Sequence, residues 1–148
     1  MDKLDKGILS LLLEDGRLKY RDVAKRLNIS TSVAFYRVKR LFEQGTIERV
    51  AAIISDRTAG IEITAIISIN IEKENLLEFE KSIANNRNIC AVYDITGEYD
   101  AILIGKFRNK GELDYLIKEL RGIKSVRKTN TSIVLNTIKE DFIFKGVE

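Results

Sequence analysis

Residues 30–43 read Ser-Thr-Ser-Val-Ala-Phe-Tyr-Arg-Val-Lys-Arg-Leu-Phe-Glu, and this stretch decides how the front of the chain is built. Ala34, Val38 and Leu41 fall at helical spacing and form an apolar stripe. Ser30 stands where an N-cap belongs, and Gly45 where a chain leaves a helix. The spacing predicts a helix from Thr31 to about Glu43. Its opposite face presents Ser32, Phe35, Tyr36, Lys39 and Arg40, with Arg37 at the flank. Two consecutive exposed aromatics mark a contact surface rather than a solvated face. Small and planar side chains near a helix N-terminus, followed by cations, suit a helix that meets base edges first and phosphates later. Candidate DNA-binding residues are therefore Ser30, Thr31, Ser32, Val33, Phe35, Tyr36, Arg37, Lys39 and Arg40. Lys39 and Arg40 are expected at phosphates, with Lys25 and Arg26 of the preceding helix. Phe35 could instead pack onto a wing.

Working back towards the N-terminus, Tyr20, Val23, Ala24 and Leu27 share one face of a short helix that Asn28 and Ile29 interrupt. Leu4, Ile8, Leu11 and Leu12 form the stripe of a first helix, capped by Asp2 and closed at Gly16. Three short helices with a tight turn between the second and third make a helix-turn-helix. Ile47–Arg49 and Ala52–Ile54 are expected to form a small two-stranded wing. Residues 1–54 are thus read as one domain.

Residues 55–62 begin with Ser-Asp-Arg-Thr-Ala-Gly, a polar stretch read as a linker. From Ile63 the apolar period changes from 3.6 to 2, with Ile63, Ala65, Ile67, Ile69 and Ile71 on one face of a strand. Asn75 and Glu78 form a capping-box pair that opens a helix carrying Leu76, Phe79 and Ile83. Ile89–Thr96 and Tyr99–Phe107 are two β-rich runs with a hairpin signal at Gly97-Glu98. Asn109 and Glu112 open another helix, with Leu113, Leu116, Ile117 and Leu120, closed by Gly122. Val126–Leu135 is the last strand. The order βαββαβ is the ferredoxin-like pattern and assigns 63–148 to a second domain, giving an α+β fold overall. Two helices cover one face of such a sheet, and a second subunit could cover the other. Phe142, Ile143 and Phe144 could add a strand, join a subunit contact, or fray.

Composition narrows the chemistry. The chain has 148 residues with no His, no Trp, no Pro and a single Cys, Cys90. Without His, no Ser-His-Asp or Cys-His pair can form, and the commonest metal ligand is missing. One Cys permits no intrachain disulfide and no thiolate zinc site. Cys90 is expected to pack as a small apolar residue in a cytoplasmic protein. Nucleotide-binding, serine-hydrolase and zinc-protease motifs are absent too, so no enzyme and no cofactor is expected. The net charge of +3 is uneven: residues 1–50 hold 11 Lys/Arg against 7 Asp/Glu, and residues 51–148 hold 14 against 15. A basic front suits a polyanion. Residues 63–71, the longest apolar stretch, are too short and too polar for a bilayer core of about 30 Å.

Thr96-Gly97-Glu98-Tyr99-Asp100 sets two carboxylates and a phenol beside a glycine. Such a group could bind an amine or ammonium, or simply turn the chain, and residues alone favour the turn. Glu98 and Asp100 as a glycosidase pair lack an aromatic cleft. Thr129 and Thr131 share one strand face and read as β-formers.

Taken together, the pieces resemble the Lrp/AsnC (leucine-responsive, feast/famine) family of transcription regulators. The resemblance runs through Leu4-Asp5, Ile8-Leu9, Asp15-Gly16-Arg17, Val23-Ala24, Ser30, Arg37-Val38, Leu41 and Gly45-Thr46-Ile47. It continues through Thr96–Asp100 and Thr131-Ser132-Ile133-Val134-Leu135. It implies an N-terminal helix-turn-helix and a C-terminal ferredoxin-like domain, known as RAM, whose sheets pair in dimers and often octamers. It also implies pseudo-palindromic DNA sites and an amino-acid effector bound at the RAM interface. The effector residues so implied are Thr96, Gly97, Glu98, Tyr99, Asp100, Thr129 and Thr131. Two positions depart from the pattern: no Pro follows the wing, and Thr46 replaces an aliphatic residue. Two alternatives remain open, an architectural DNA-binding protein and an amino-acid-sensing module without DNA binding.

Overall fold

The computed structural model describes residues 1–72, 79, 81, 83, 85–144 and 146. It divides into two compact units: Met1–Ile53 with the chain from Lys139 on, and Ile54–Ile138.

The first unit is built on three helices, α1 (Lys3–Glu14), α2 (Tyr20–Leu27) and α3 (Thr31–Glu43). Each begins or ends where a local residue dictates. Asp2 accepts the Asp5 N–H while the Asp5 carboxylate accepts the Asp2 N–H, a reciprocal capping box at α1. Asn28 adopts a left-handed φ of 53° and stops α2. Ser30 Oγ accepts the Val33 N–H and starts α3. Ile8, Leu9, Val23, Ala24, Ala34, Val38 and Leu41 close the core between them. Tyr20, expected on the buried face of α2, is 41% exposed and instead meets Phe35 edge-on.

The expected wing does not form. Neither Ile47–Arg49 nor Ala52–Ile54 is a strand, and Val50, Ile53 and Ile54 are exposed. A single extended run has unpaired backbone groups on both edges, and no strand among the described residues pairs with this one. The linker also differs from expectation. Asp56–Ala59 is a one-turn helix, α4, with Ser55 as N-cap and Gly60 at φ 70° as its left-handed cap. Lys106 Nζ holds both Asp56 oxygens at 2.8 and 2.9 Å, which ties α4 to the second unit.

The second unit is a four-stranded antiparallel sheet: β1 (Ile63–Ile71), β2 (Ile89–Asp94), β3 (Ala101–Phe107) and β4 (Val126–Ile133). The strands lie in the order β2-β3-β1-β4, which is the ferredoxin-like topology. Ala65, Ile67, Ile69, Ala101, Leu103 and Phe107 face one side. There they pack with Phe79 and Ile83 and with Leu113, Leu116 and Leu120 of α5 (Lys110–Gly122). Asn109 caps α5 through the Glu112 N–H, but the Glu112 carboxylate accepts from Arg108 N rather than completing the box. The capping pair expected at Asn75 and Glu78, with Leu76, lies outside the described residues.

The opposite sheet face carries Ile66, Ile102, Ile104 and Tyr93 by strand parity, and Ile66 and Tyr93 are exposed. The hairpin is longer than a two-residue turn: β2 ends at Asp94, β3 begins at Ala101, and Ile95 N–H donates to Asp100 O at 2.9 Å. Cys90, expected to be packed, is exposed where the β2–β3 register shifts. A bulge residue leaves the alternation that would bury it. Residues 134–144 form no regular element, and Phe142 and Phe144 are exposed. This tail, placed with the second domain by the sequence, groups with the first unit from Lys139 on.

Candidate nucleic-acid interface and ligand site

Helix α3 shows solvent an ordered line of side chains. Ser32, Tyr36 and Lys39 follow at i, i+4 and i+7, and all are exposed. Thr31, Val33 and Phe35 are exposed beside them. Phe35 is braced: the Tyr20 ring meets it at a centroid distance of 5.3 Å and an interplanar angle of 83°. The wing contact considered for Phe35 is not made. Ser30 holds the N-terminus of α3, and its Oγ lies 3.0 Å from Ser32 Oγ.

The cations separate into two groups. Lys25, Arg26 and Lys39 are exposed. Lys39 Nζ stands 3.6 Å from Glu43, and Arg26 Nη1 stands 3.9 Å from Glu14. Such exposed pairs are weak and yield readily to phosphate. Arg37 and Arg40, by contrast, turn inward. Arg40 Nη2 donates to both oxygens of Asp5, at 3.0 and 2.7 Å. Arg37 Nη1 donates to Asp5 Oδ1 at 3.1 Å and to Asp2 Oδ2. Asp5 is only 2% exposed, and Arg40 Nε is buried with no hydrogen-bond partner among the described residues. Arg37 and Arg40, both expected at the DNA face and Arg40 at phosphate, are here engaged with Asp2 and Asp5 and clamp α3 to α1. The Asp5 N–H, and then Arg37, hold the Asp2 carboxyl well below its usual range, at about 2. Asp2, and after it Asp5, raises the Arg37 pKa in turn.

Sequence reasoning missed this clamp, although one signal was available. Asp5 lies three residues before the buried Ile8 and four before Leu9, so it is a charge on a core-facing stripe. Such a residue demands a partner.

At the hairpin, the residues named from the sequence separate as well. Thr96 and Gly97 are exposed at the tip, where Gly97 has φ 123°. Glu98 Oε1 accepts from Lys128 Nζ at 3.1 Å, and the same ammonium lies 5.1 Å from the centre of the Tyr99 ring. Glu98, and next Tyr99, raise the Lys128 pKa. Asn70 Nδ2 donates to Glu98 O at 2.7 Å. The Asp100 carboxylate accepts the Ile71 N–H at 2.9 Å, capping the end of β1. Thr129 and Thr131 pair with Ile69 and Ile67, so they point to the helix-covered face. Lys128 pairs with Asn70 and points to the other. The sheet thus brings Glu98, Tyr99 and Lys128 together and sets the two threonines on its opposite side. Lys128 was missed because no local spacing links it to residue 98.

A helix-turn-helix with an exposed aromatic and cationic outer face, in one chain with a ferredoxin-like sheet, is the build of a DNA-binding regulator. Comparison with known proteins agrees. Residues 1–48 match the model for winged helix-turn-helix DNA-binding domains, and residues 64–144 match the Lrp/AsnC ligand binding domain. An uncharacterized HTH-type transcriptional regulator of Pyrococcus furiosus is 41% identical over 142 residues, 96% of each chain. Among solved structures, a transcriptional regulator of Neisseria meningitidis in complex with L-Met superposes with a TM-score of 0.88 at 27% identity, covering 96% of this chain and 94% of that one. AsnC of E. coli shares the fold, with a TM-score of 0.86 at 24% identity and 97% coverage of both chains. This chain belongs to the Lrp/AsnC family of DNA-binding transcription regulators.

Proposed function

We propose that the protein works as a homo-oligomer in the cytoplasm, presenting two copies of α3 to successive major grooves of double-stranded DNA about one helical turn apart. Ser32, Tyr36 and Phe35 face the bases, while Lys39, Lys25 and Arg26 hold phosphates. The observation that carries this reading is the exposed Ser32–Tyr36–Lys39 line, with Phe35 braced at its flank. The apolar sheet face around Ile66, Ile102, Ile104 and Tyr93 supplies the surface through which subunits pair. An amino acid is the effector, and the hairpin at Glu98 and Tyr99, with Lys128, is the site proposed for it. The ammonium and carboxylate of such a ligand match Glu98 and Lys128 in charge. Binding shifts DNA affinity only as far as the ligand prefers one assembly over another. No catalytic activity is assigned.

Footprinting on the DNA upstream of the protein's own gene, with and without each common amino acid, tests the proposal. Protection of a discrete two-fold site that one amino acid alters is the expected result. Uniform coating would indicate an architectural protein, and amino-acid binding without protection would indicate a sensor that has lost its DNA.

A further inference from the structure

The N-terminal half of the outer face of α3 lacks the side chains that most often read bases. Bidentate recognition of guanine uses Arg or Lys, and that of adenine uses Asn or Gln. Helix α3 contains no Asn or Gln, and its two arginines hold Asp2 and Asp5. Lys39 is the remaining cation of the helix and lies past its middle, beside Glu43. The N-terminal half offers hydroxyls and apolar surface instead: Val33 is 40% exposed, Phe35 49% and Tyr36 64%. Of the four bases, thymine alone presents an apolar group in the major groove, its C5 methyl.

We infer that α3 takes its sequence preference mainly from thymine methyl groups, with Val33 and Tyr36 as the specificity-determining residues, so that its half-sites are rich in A·T pairs. This rests on the proposal that α3 enters the major groove, and it adds which chemical group is read there. Exposed apolar side chains gain by leaving water against a methyl group, as they cannot against a bare polar edge. Tyr20 fixes the Phe35 ring beforehand, so that ring loses little freedom on docking. The serine and threonine hydroxyls accept or donate to any base and add little discrimination.

The test is in vitro selection of duplex DNA by the full-length protein, followed by replacement of single thymines in the selected half-site by uracil. Uracil keeps the pairing and removes only the methyl. Affinity should fall roughly fourfold for each contacted methyl, the ratio expected for returning one buried methyl to water. Val33→Ala or Tyr36→Ala should bring the ratio of thymine-duplex to uracil-duplex affinity to about one at one position, the ratio being read within each variant so that any general loss of affinity cancels. Both positions are exposed, so neither variant threatens the core. Equal affinity for thymine and uracil duplexes overturns the inference and leaves DNA binding intact. So does a guanine-anchored half-site that weakens with 7-deazaguanine. A selection that enriches nothing overturns this inference, and a protein that retains no DNA at all overturns the DNA reading with it.

Discussion

Arg40 grips both carboxylate oxygens of Asp5, 35 positions earlier in the chain, at 2.7 and 3.0 Å. The contact fastens the helix with the exposed aromatic face to the first helix, and it engages a cation beside the surface proposed to meet DNA. Asp5 is nearly inaccessible, while the Arg37 and Arg40 side chains keep 24% and 33% of their exposure.

Asp5→Asn is expected to destabilise the first unit by about 2–3 kcal/mol. That is less than the ~3–5 kcal/mol for breaking a fully buried pair, because both arginines can still reach water. Denaturant unfolding of the full chain measures it. Adding Arg40→Ala to Asp5→Asn should cost much less than Arg40→Ala alone, since the two share one interaction.

Acid should loosen the same clamp in a defined window. The Asp2 carboxyl lies at about 2 in the folded chain against 3.8 for an ordinary aspartate. Its folded value is the lower one, so its contribution is complete above pH 3.8 and lost as pH falls through about 2. The stability difference between the parent protein and Asp2→Asn, followed by denaturant titration, should shrink across that interval and stay constant above it. A constant difference at every pH would refute the assignment.

The hairpin carboxylates should behave differently from each other. Asp100→Asn weakens the acceptor for the Ile71 N–H and should lower stability by about 1 kcal/mol. Glu98→Gln, at an exposed residue, should change stability by less than about 0.5 kcal/mol yet weaken binding of the amino acid proposed to dock at this hairpin. Gly97→Ala meets no atom within 4 Å but must adopt φ 123°, a backbone cost of about 1–3 kcal/mol. Calorimetric titration beside thermal melts separates the three.

Much of this fold was legible because its signals are local. The period-2 pattern of 63–71 matched β1 residue for residue; Asp2, Ser30 and Asn109 marked helix starts by their own side chains, and Asn28 marked a helix end by its left-handed backbone. What escaped was long-range. Asp5 with Arg40, Tyr20 with Phe35, and Glu98 with Lys128 are pairs that no spacing predicts, and each changed the role of a named residue. The one-turn helix at 56–59 did have a local signature, Ser55 before and Gly60 after, that the polar composition concealed. The wing failed for the opposite reason: β-rich sequence makes a strand only where another strand pairs with it.

That short helix yields a prediction of its own. Lys106→Met releases Asp56 and should speed tryptic cleavage after Arg57, detected by mass spectrometry of early fragments. Unchanged cleavage would mean that the ion pair does not hold α4.

The central claim, that α3 meets DNA with Lys39 at phosphate and Arg40 held by Asp5, is tested most directly by the salt dependence of operator affinity. For the parent protein, log K should fall steeply with log salt, by about 0.9 for each phosphate neutralised. Lys39→Ala should reduce that slope by about one for each subunit bound, and Arg40→Ala, measured where it remains folded, should leave it unchanged. A flat slope for the parent protein, or a slope that falls with Arg40→Ala and not with Lys39→Ala, would contradict the account.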